Sequence, residues 1–245
     1  PAAVRPAPGA VPPPQAAAAP AAAAPRTAPP AAAPPPAANV RMTVDKAVDL
    51  ALSHYRAGRL AEAERIIAQV VAARPNLAVA HNLHGAVMLG QGNLAGAARS
   101  FQKAVRLEDG NPQYQANLGE AERQRGKIRE AGIALSRAVE LNPRSAQAHN
   151  NLGILHYDRK AFDEAEASYR RALAIDPAYP EANNNRGNAL RMLGRREEAV
   201  EAYQRALLSR EAYPEAYNNL ATVLREMRQF EGAEHAYRKA IDLRP

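Results

Sequence analysis

From residue 44 onward, apolar and polar positions recur with a helical spacing in blocks of about a dozen residues. Short polar turns, such as Gly58-Arg59, Gly126-Lys127 and Gly194-Arg195, separate consecutive blocks, and glycine is typical of such turns. The pattern predicts an all-α chain that consists of helix pairs joined by tight turns.

The helix pairs recur every 34 residues without an insertion or deletion, and four columns of side chains mark this period. The first column consists of Ala63, Ala97, Ala131, Ala165, Ala199 and Ala233. A second column of small residues precedes it and consists of Ala51, Gly85, Gly119, Gly153, Gly187 and Ala221. A third column follows it and consists of Val70, Ala104, Ala138, Ala172, Ala206 and Ala240. A bulky column lies between the first and the third and consists of Ile67, Phe101, Leu135, Tyr169, Tyr203 and Tyr237.

The small columns have a packing reason. Two helices joined by a tight turn cross closely, and only Ala or Gly lets their backbones approach, while bulky residues fill the space beside them. Prolines mark the helix ends, because proline stops one helix and is tolerated in the first turn of the next. These prolines are Pro75, Pro143, Pro177 and Pro245 after second helices, and Pro112, Pro180 and Pro214 at the start of first helices. Since a single pair cannot bury its apolar face but stacked pairs can, we predict an α-solenoid.

We number the positions of each unit as places, with Val44 in place 1. Small residues then occupy the eighth, twentieth and twenty-seventh places and a bulky residue the twenty-fourth. With proline near the unit ends, this pattern resembles the tetratricopeptide repeat over residues 44–245. The resemblance implies a right-handed α-solenoid of six helix–turn–helix units, at 44–77, 78–111, 112–145, 146–179, 180–213 and 214–245. The last unit is short by two residues and is followed by no polar capping helix, so we expect the natural protein to continue beyond Pro245.

The resemblance also implies that the first helices line a concave groove, which holds the predicted binding residues. In the last four units the sixth place faces this groove with Asn117, Asn151, Asn185 and Asn219. The other predicted groove residues are Asn150, Asn184, Asn188, Asn218, Arg123, Arg191 and Arg225. A carboxamide both donates and accepts hydrogen bonds, so it can pair with a peptide backbone whatever the side chains are. The series therefore predicts a ladder that holds an extended peptide.

Two interpretations of the asparagine series remain open. The series resembles the arm of O-linked N-acetylglucosamine transferases, in which stacked asparagines hold substrate polypeptides. Alternatively, asparagine in this place is a general feature of the repeat and bonds to the neighbouring helix. The basic clamp for two carboxylates that some members of the family use is absent, because the fifth place holds no Lys or Arg.

The first 39 residues are almost entirely Ala and Pro and hold 13 of the 20 prolines. Proline interrupts helices and the stretch has few large apolar side chains. We therefore predict that residues 1–43 form a disordered linker and lead-in with polyproline II character, connected to a further segment upstream. A proline-rich ligand for a recognition domain is the alternative interpretation.

Charge and composition narrow the functional classes. The net charge of +7 is spread over interspersed acidic and basic residues, which argues against a nucleic-acid partner. The absence of cysteine excludes disulfides and thiolate metal sites, and no apolar run is long enough for a transmembrane helix. We predict no direct membrane contact, no cofactor and a cytoplasmic location. The sequence leaves open a periplasmic or membrane-tethered protein.

No residue set in the sequence is typical of catalysis. His81 with His84, and His149 with His156, are spaced along single helices, but they fall in places that hold packing residues in other units. The run Gly90-Gln91-Gly92 lies between two helices, whereas a dinucleotide-binding loop follows a strand. Arg186 stands where most units have leucine, and we expect its side chain to extend to solvent.

The leading functional hypothesis is a non-enzymatic scaffold that binds an extended peptide or partner protein in the groove. The alternative is a non-catalytic arm that recruits substrates for a glycosyltransferase or sulfotransferase domain beyond residue 245. A third hypothesis is an assembly subunit that associates with itself through the array.

Overall fold

The computed structural model describes residues 43–243. The predicted Ala/Pro-rich linker therefore lies outside the described residues, except for Thr43, which caps the first helix. The described part contains twelve α-helices and no strand, which confirms the all-α prediction. The helices are α1 (Val44–Arg56), α2 (Leu60–Ala73), α3 (Ala78–Gly90), α4 (Leu94–Leu107), α5 (Pro112–Gln124), α6 (Ile128–Leu141), α7 (Ala146–Asp158), α8 (Phe162–Ile175), α9 (Pro180–Met192), α10 (Arg196–Ser209), α11 (Pro214–Glu226) and α12 (Phe230–Asp242).

The helices stack in chain order as a solenoid. Each helix packs against the one before it and the one after it. The odd-numbered helices, which are the first helices of the units, also contact one another between neighbouring units. The even-numbered helices of residues 43–243 make no such contact with one another. The first helices therefore form the inner side of the stack, and the second helices form the outer side.

The small columns lie where the two helices of a unit cross. The alanines of the twentieth place are all buried in the core. The glycines of the eighth place lie directly against the bulky twenty-fourth place: a Cβ on Gly153 would be 2.5 Å from Cε1 of Tyr169, and one on Gly187 would be 2.6 Å from Cε1 of Tyr203. The packing role predicted for these columns is confirmed.

The turn inside each unit needs a left-handed backbone in its fifteenth place. Gly58, Gly92, Gly126 and Gly194 adopt φ values between 72° and 78° there. In the fourth and sixth units the same place holds Lys160 and Arg228, both with φ of 61°. Since this conformation costs an L-residue about 1–2 kcal/mol, the stacked helices hold these two turns in shape.

Side chains in the fourth place hold the turn between units. The Nε2 atom of His81 lies 2.9 Å from the carbonyl oxygen of Pro75, and that of His149 lies 3.0 Å from the carbonyl oxygen of Pro143. A carbonyl only accepts, so Nε2 carries the proton in both rings. Asn183 donates to the carbonyl of Pro177 in the same way. These histidines thus serve the junctions between units.

The structure corrects the expectation for Arg186. Its side chain does not extend freely to solvent but donates from Nε and Nη2 to Oε1 of Glu166 on α8, both at 2.9 Å. Glu166 is only 5% exposed, so a buried ion pair joins α8 to α9. Sequence reasoning missed this partner because Glu166 belongs to another unit and another place.

Candidate functional site: the inner groove

Hydrogen bonds between carboxamides cross from one first helix to the next along the inner groove. Nδ2 of Asn117 donates to Oδ1 of Asn82 at 2.8 Å. The same bond joins Asn185 to Asn150 at 3.1 Å and Asn219 to Asn184 at 3.0 Å. Each bond links the fifth place of one unit to the sixth place of the next, 35 residues apart. We call these three pairs the carboxamide ladder.

The ladder places its members at different depths. Asn150 and Asn184, in the fifth place, are 4% and 6% exposed, and each offers its oxygen to the following unit. Asn117, Asn185 and Asn219, in the sixth place, are half-buried. Much of the predicted peptide-binding capacity is therefore used inside the protein, as the second interpretation of the series expects.

One step of the ladder is interrupted. The fifth place of the third unit holds Ala116, which has no carboxamide to offer to Asn151. Within residues 43–243, the side chain of Asn151 forms no hydrogen bond with another residue, although it is half-buried. The donor and the acceptor of its carboxamide are therefore both without a partner among these residues.

A second row of side chains pairs by the same geometry. Nη1 of Arg123 donates to Asp158 at 2.6 Å, and Nη1 of Arg191 donates to Glu226 at 2.9 Å. Each pair links the twelfth place of one unit to the thirteenth place of the next, again 35 residues apart. The groove arginines Arg123 and Arg191 thus form specific ion pairs, which we call the charged row.

Arg123 is the most strongly held of the groove arginines. Its Nε and Nη2 donate to the two carboxylate oxygens of Glu120, both at 2.9 Å, while Nη1 reaches Asp158. The Glu120 hydrogen bond raises the pKa of Arg123, against the opposing effect of burial. Burial also opposes ionisation of Glu120, but the hydrogen bonds from Arg123 and Gln124 lower the pKa of its carboxyl. Arg123 is therefore a fixed, neutralised charge.

The remaining predicted groove residues differ in their surroundings. Asn188 accepts a 2.7 Å hydrogen bond from the hydroxyl of Tyr203, so its oxygen is also used internally. Burial raises the pKa of Tyr203, which keeps that hydroxyl a donor. Asn218 and Arg225 are exposed on α11, and neither side chain has a hydrogen-bond partner within the described residues. The structure therefore does not unite the predicted residues in one site.

Sequence reasoning missed the apolar part of the groove. Between the two ion pairs, the twelfth place of the fourth unit holds Tyr157 and the thirteenth place of the fifth unit holds Met192. Met192 is 48% exposed, and the Tyr157 ring packs edge-on against Phe162 with centroids 5.3 Å apart. The two apolar residues can be read from the sequence. Their relation appears only when the twelfth place of each unit is compared with the thirteenth place of the next.

Neither a group of metal ligands nor a membrane-spanning helix is found among the described residues. Between residues 43 and 243, no three His, Asp or Glu side chains are grouped as ligands for a metal ion. In the same stretch, no helix combines the length and the apolar character that crossing a bilayer requires.

The protein-family models that match the chain all describe the same family. Models described as "Tetratricopeptide repeat" match residues 48–112, 84–140, 116–180 and 179–245, which together cover most of the chain. Comparison of the sequence with curated proteins returns no match.

Several solved structures are similar to the chain. The thermophilic TPR protein TTC0263 from Thermus thermophilus aligns with a TM-score of 0.64 and 23% identity, covering 74% of this chain and 99% of that one. PilW, a type IV pilus biogenesis factor, aligns with a TM-score of 0.73 and 18% identity over 79% and 90%. YrrB, described as a TPR protein with an unusual peptide-binding site, aligns with a TM-score of 0.55 and 22% identity over 71% and 90%. At these identities the similarity establishes the fold.

Proposed function

Because the chain belongs to the tetratricopeptide repeat family, we propose that it is a protein-interaction scaffold whose inner groove binds an extended segment of a partner protein. Proteins of this family bind other proteins or peptides, and their repeats are not catalytic. In this chain, the inner groove is the surface to which the partner segment binds.

One observation carries the proposal: polar side chains of successive first helices pair with one another along the inner groove. Three carboxamide pairs and two ion pairs lie along it. Interlocked side chains give a rigid surface, and a rigid surface loses little conformational entropy when a ligand binds. A groove of this kind suits a ligand that supplies its own backbone donors and acceptors over several residues.

The test is selection of peptides by the 245-residue chain, followed by blocking of the groove. Random 12-residue peptides displayed on phage are selected, and the strongest binder is synthesised with a fluorescent label. The groove is blocked by Asn151→Arg with Asn185→Arg. The control places the same added charge on exposed positions of second helices, by Gln102→Arg with Gln204→Arg.

We expect the groove variant to weaken binding by at least about tenfold, equivalent to about 1.4 kcal/mol, and the control variant to bind like the parent. Fluorescence anisotropy measures the affinity, and circular dichroism verifies that both variants keep the helicity of the parent. Light scattering is run first, because a monomer at these concentrations would exclude self-association through the array. Failure to select any peptide, or equal binding by both variants, would contradict the proposed function.

A second candidate is a substrate-recruiting arm of a glycosyltransferase or sulfotransferase. The observation that favours it is the asparagine in the sixth place of four successive units. Pairing within the ladder weakens this candidate, because three of those asparagines already donate to a neighbour. An assay for sugar or sulfate transfer to a bound peptide by the full-length gene product decides it, and absence of both activities rules it out.

A further inference from the structure

The groove is not uniform, and its fourth unit differs from the rest. At each junction the fifth place of one unit meets the sixth place of the next. From the first junction to the last, these two places hold Val48 with Leu83, Asn82 with Asn117, Ala116 with Asn151, Asn150 with Asn185, and Asn184 with Asn219. The first step is apolar and three others are bonded pairs. Only the third step leaves a carboxamide without a partner among the described residues.

An unpaired carboxamide is the strongest binding position in such a row. A peptide that bonds to a paired asparagine must compete with a hydrogen bond that the protein already makes. A peptide that bonds to Asn151 replaces only water, and the half-buried amide gains a partner that the fold does not supply. The two hydrogens and the oxygen of this carboxamide can meet a backbone C=O and N–H together.

From Asn151 an oblique row of apolar side chains runs along α7. Ile154 and Tyr157 follow at three-residue intervals, so each neighbours the one before it and lies about 60° further round the helix. Both are half-buried and pack against the cluster around Tyr169. Met192 occupies the thirteenth place of the next unit, the place that pairs with the twelfth in the charged row, and is 48% exposed. From Asn151 to Tyr157 the helix rises about 9 Å, which is roughly the length of three residues of extended chain.

The charges around this apolar step are already neutralised. On one side Arg123 is held by Glu120 and Asp158, and on the other Glu226 is held by Arg191 and Arg196. The three cations thus balance the three carboxylates. A charged peptide side chain placed between them would have to break one of these ion pairs. The local charge balance therefore fits an uncharged segment with a large apolar side chain.

We propose that the fourth unit is the specificity-determining subsite of the groove. It binds the backbone of an uncharged, extended segment through Asn151 and a large aliphatic side chain, about three residues along, on Tyr157 and Met192. This inference rests on the proposed function and adds to it the position of the main contact and the chemistry of the segment.

The experiment uses the labelled peptide selected above and three variants of the whole chain. Asn151→Ala removes the unpaired carboxamide. Ala116→Asn keeps Asn151 but completes the ladder, so that the carboxamide acquires an internal partner. Met192→Ala removes the exposed apolar contact. The matched control is Gln204→Ala, which removes an exposed carboxamide from the outer helix α10.

We expect Asn151→Ala and Ala116→Asn each to weaken peptide binding by about fivefold, the effect of one hydrogen bond of about 1 kcal/mol. Met192→Ala weakens it by a similar factor, and Gln204→Ala by less than about twofold. The selected peptides are expected to share a large aliphatic residue and few charges. Melting curves identify any variant whose folded fraction has changed.

Three outcomes separate this inference from the proposed function. If the groove-blocking variant abolishes binding but Asn151→Ala and Ala116→Asn bind like the parent, the groove function stands and the subsite is wrong. The subsite is also wrong if Gln204→Ala weakens binding as much as Asn151→Ala, or if the selected peptides share a charged motif.

Discussion

At the scale of single residues, side-chain size decides whether the two helices of a unit can cross. The alanine of the twentieth place has no accessible surface in the first five units. Its neighbours are the bulky residue of the twenty-fourth place and the glycine or alanine of the eighth. Because protein interiors are packed like crystals, no space at this crossing is left for a larger side chain.

Ala165→Leu tests this assignment. Three further carbon atoms at a fully buried crossing overpack it, and we expect the free energy of unfolding to fall by about 1–3 kcal/mol. Ala174→Leu, at an exposed position of the same helix α8, is the control and should change stability by less than about 0.5 kcal/mol. Urea unfolding followed by circular dichroism measures both. Equal stability of the parent and Ala165→Leu would show that the crossing is not where we place it.

At the scale of helices, each junction between units has its own chemistry in the same two places. The twenty-first place of one unit meets the seventh place of the next. Val200 and Leu220 make this contact in the last junction, as members of one apolar cluster. In the junction between α8 and α9 the two places hold Glu166 and Arg186, and an ion pair replaces the apolar contact.

Removal of one member of this pair should cost more than removal of both. Arg186→Leu leaves the carboxylate of Glu166 buried without its main partner, and we expect a loss of about 3 kcal/mol, since a lone buried charge is strongly unfavourable. Glu166→Val with Arg186→Leu reproduces the apolar pair of the last junction and should be close to the parent or more stable. Thermal unfolding of the parent, the single and the double variant measures the difference. A double variant that is less stable than Arg186→Leu would contradict this interpretation.

At the scale of the whole array, each unit is stabilised mainly by its immediate neighbours. The described helices contact only the helices of the same unit and of adjacent units, so stability is a sum of local terms. Ile241 on α12 is 67% exposed, whereas its five counterparts in the twenty-eighth place are half-buried against a following unit. The sixth unit therefore buries less apolar surface than the units that are followed by another unit.

Hydrogen exchange should reveal this gradient. In the 245-residue chain we expect amides of α5 to α8 to exchange most slowly and those of α11 and α12 to exchange faster, because the end unit opens with less loss of apolar contact. Exchange measured by mass spectrometry on peptic fragments resolves the helices. Uniform protection from α1 to α12 would instead mean that the array opens as a single cooperative unit.

The fold follows from the sequence because its determinants are local and repeated. Alanine at Ala165 or glycine at Gly153 indicates a helix crossing from one unit alone, and six copies in register make that interpretation secure. The asparagines and arginines of the groove were also predictable as a set, since they occupy equivalent places on the first helices.

The pairing of those side chains was decided by the tertiary structure. Successive first helices pack with a stagger of one place, so that the fifth place meets the sixth and the twelfth meets the thirteenth. This stagger depends on how whole units stack, and no local pattern encodes it. It makes most of the carboxamides partners of one another and leaves Asn151, opposite the methyl group of Ala116, with a free hydrogen-bonding group. The sequence by itself determined which residues line the groove, whereas the stacking of the units decided which of them remain available to a ligand.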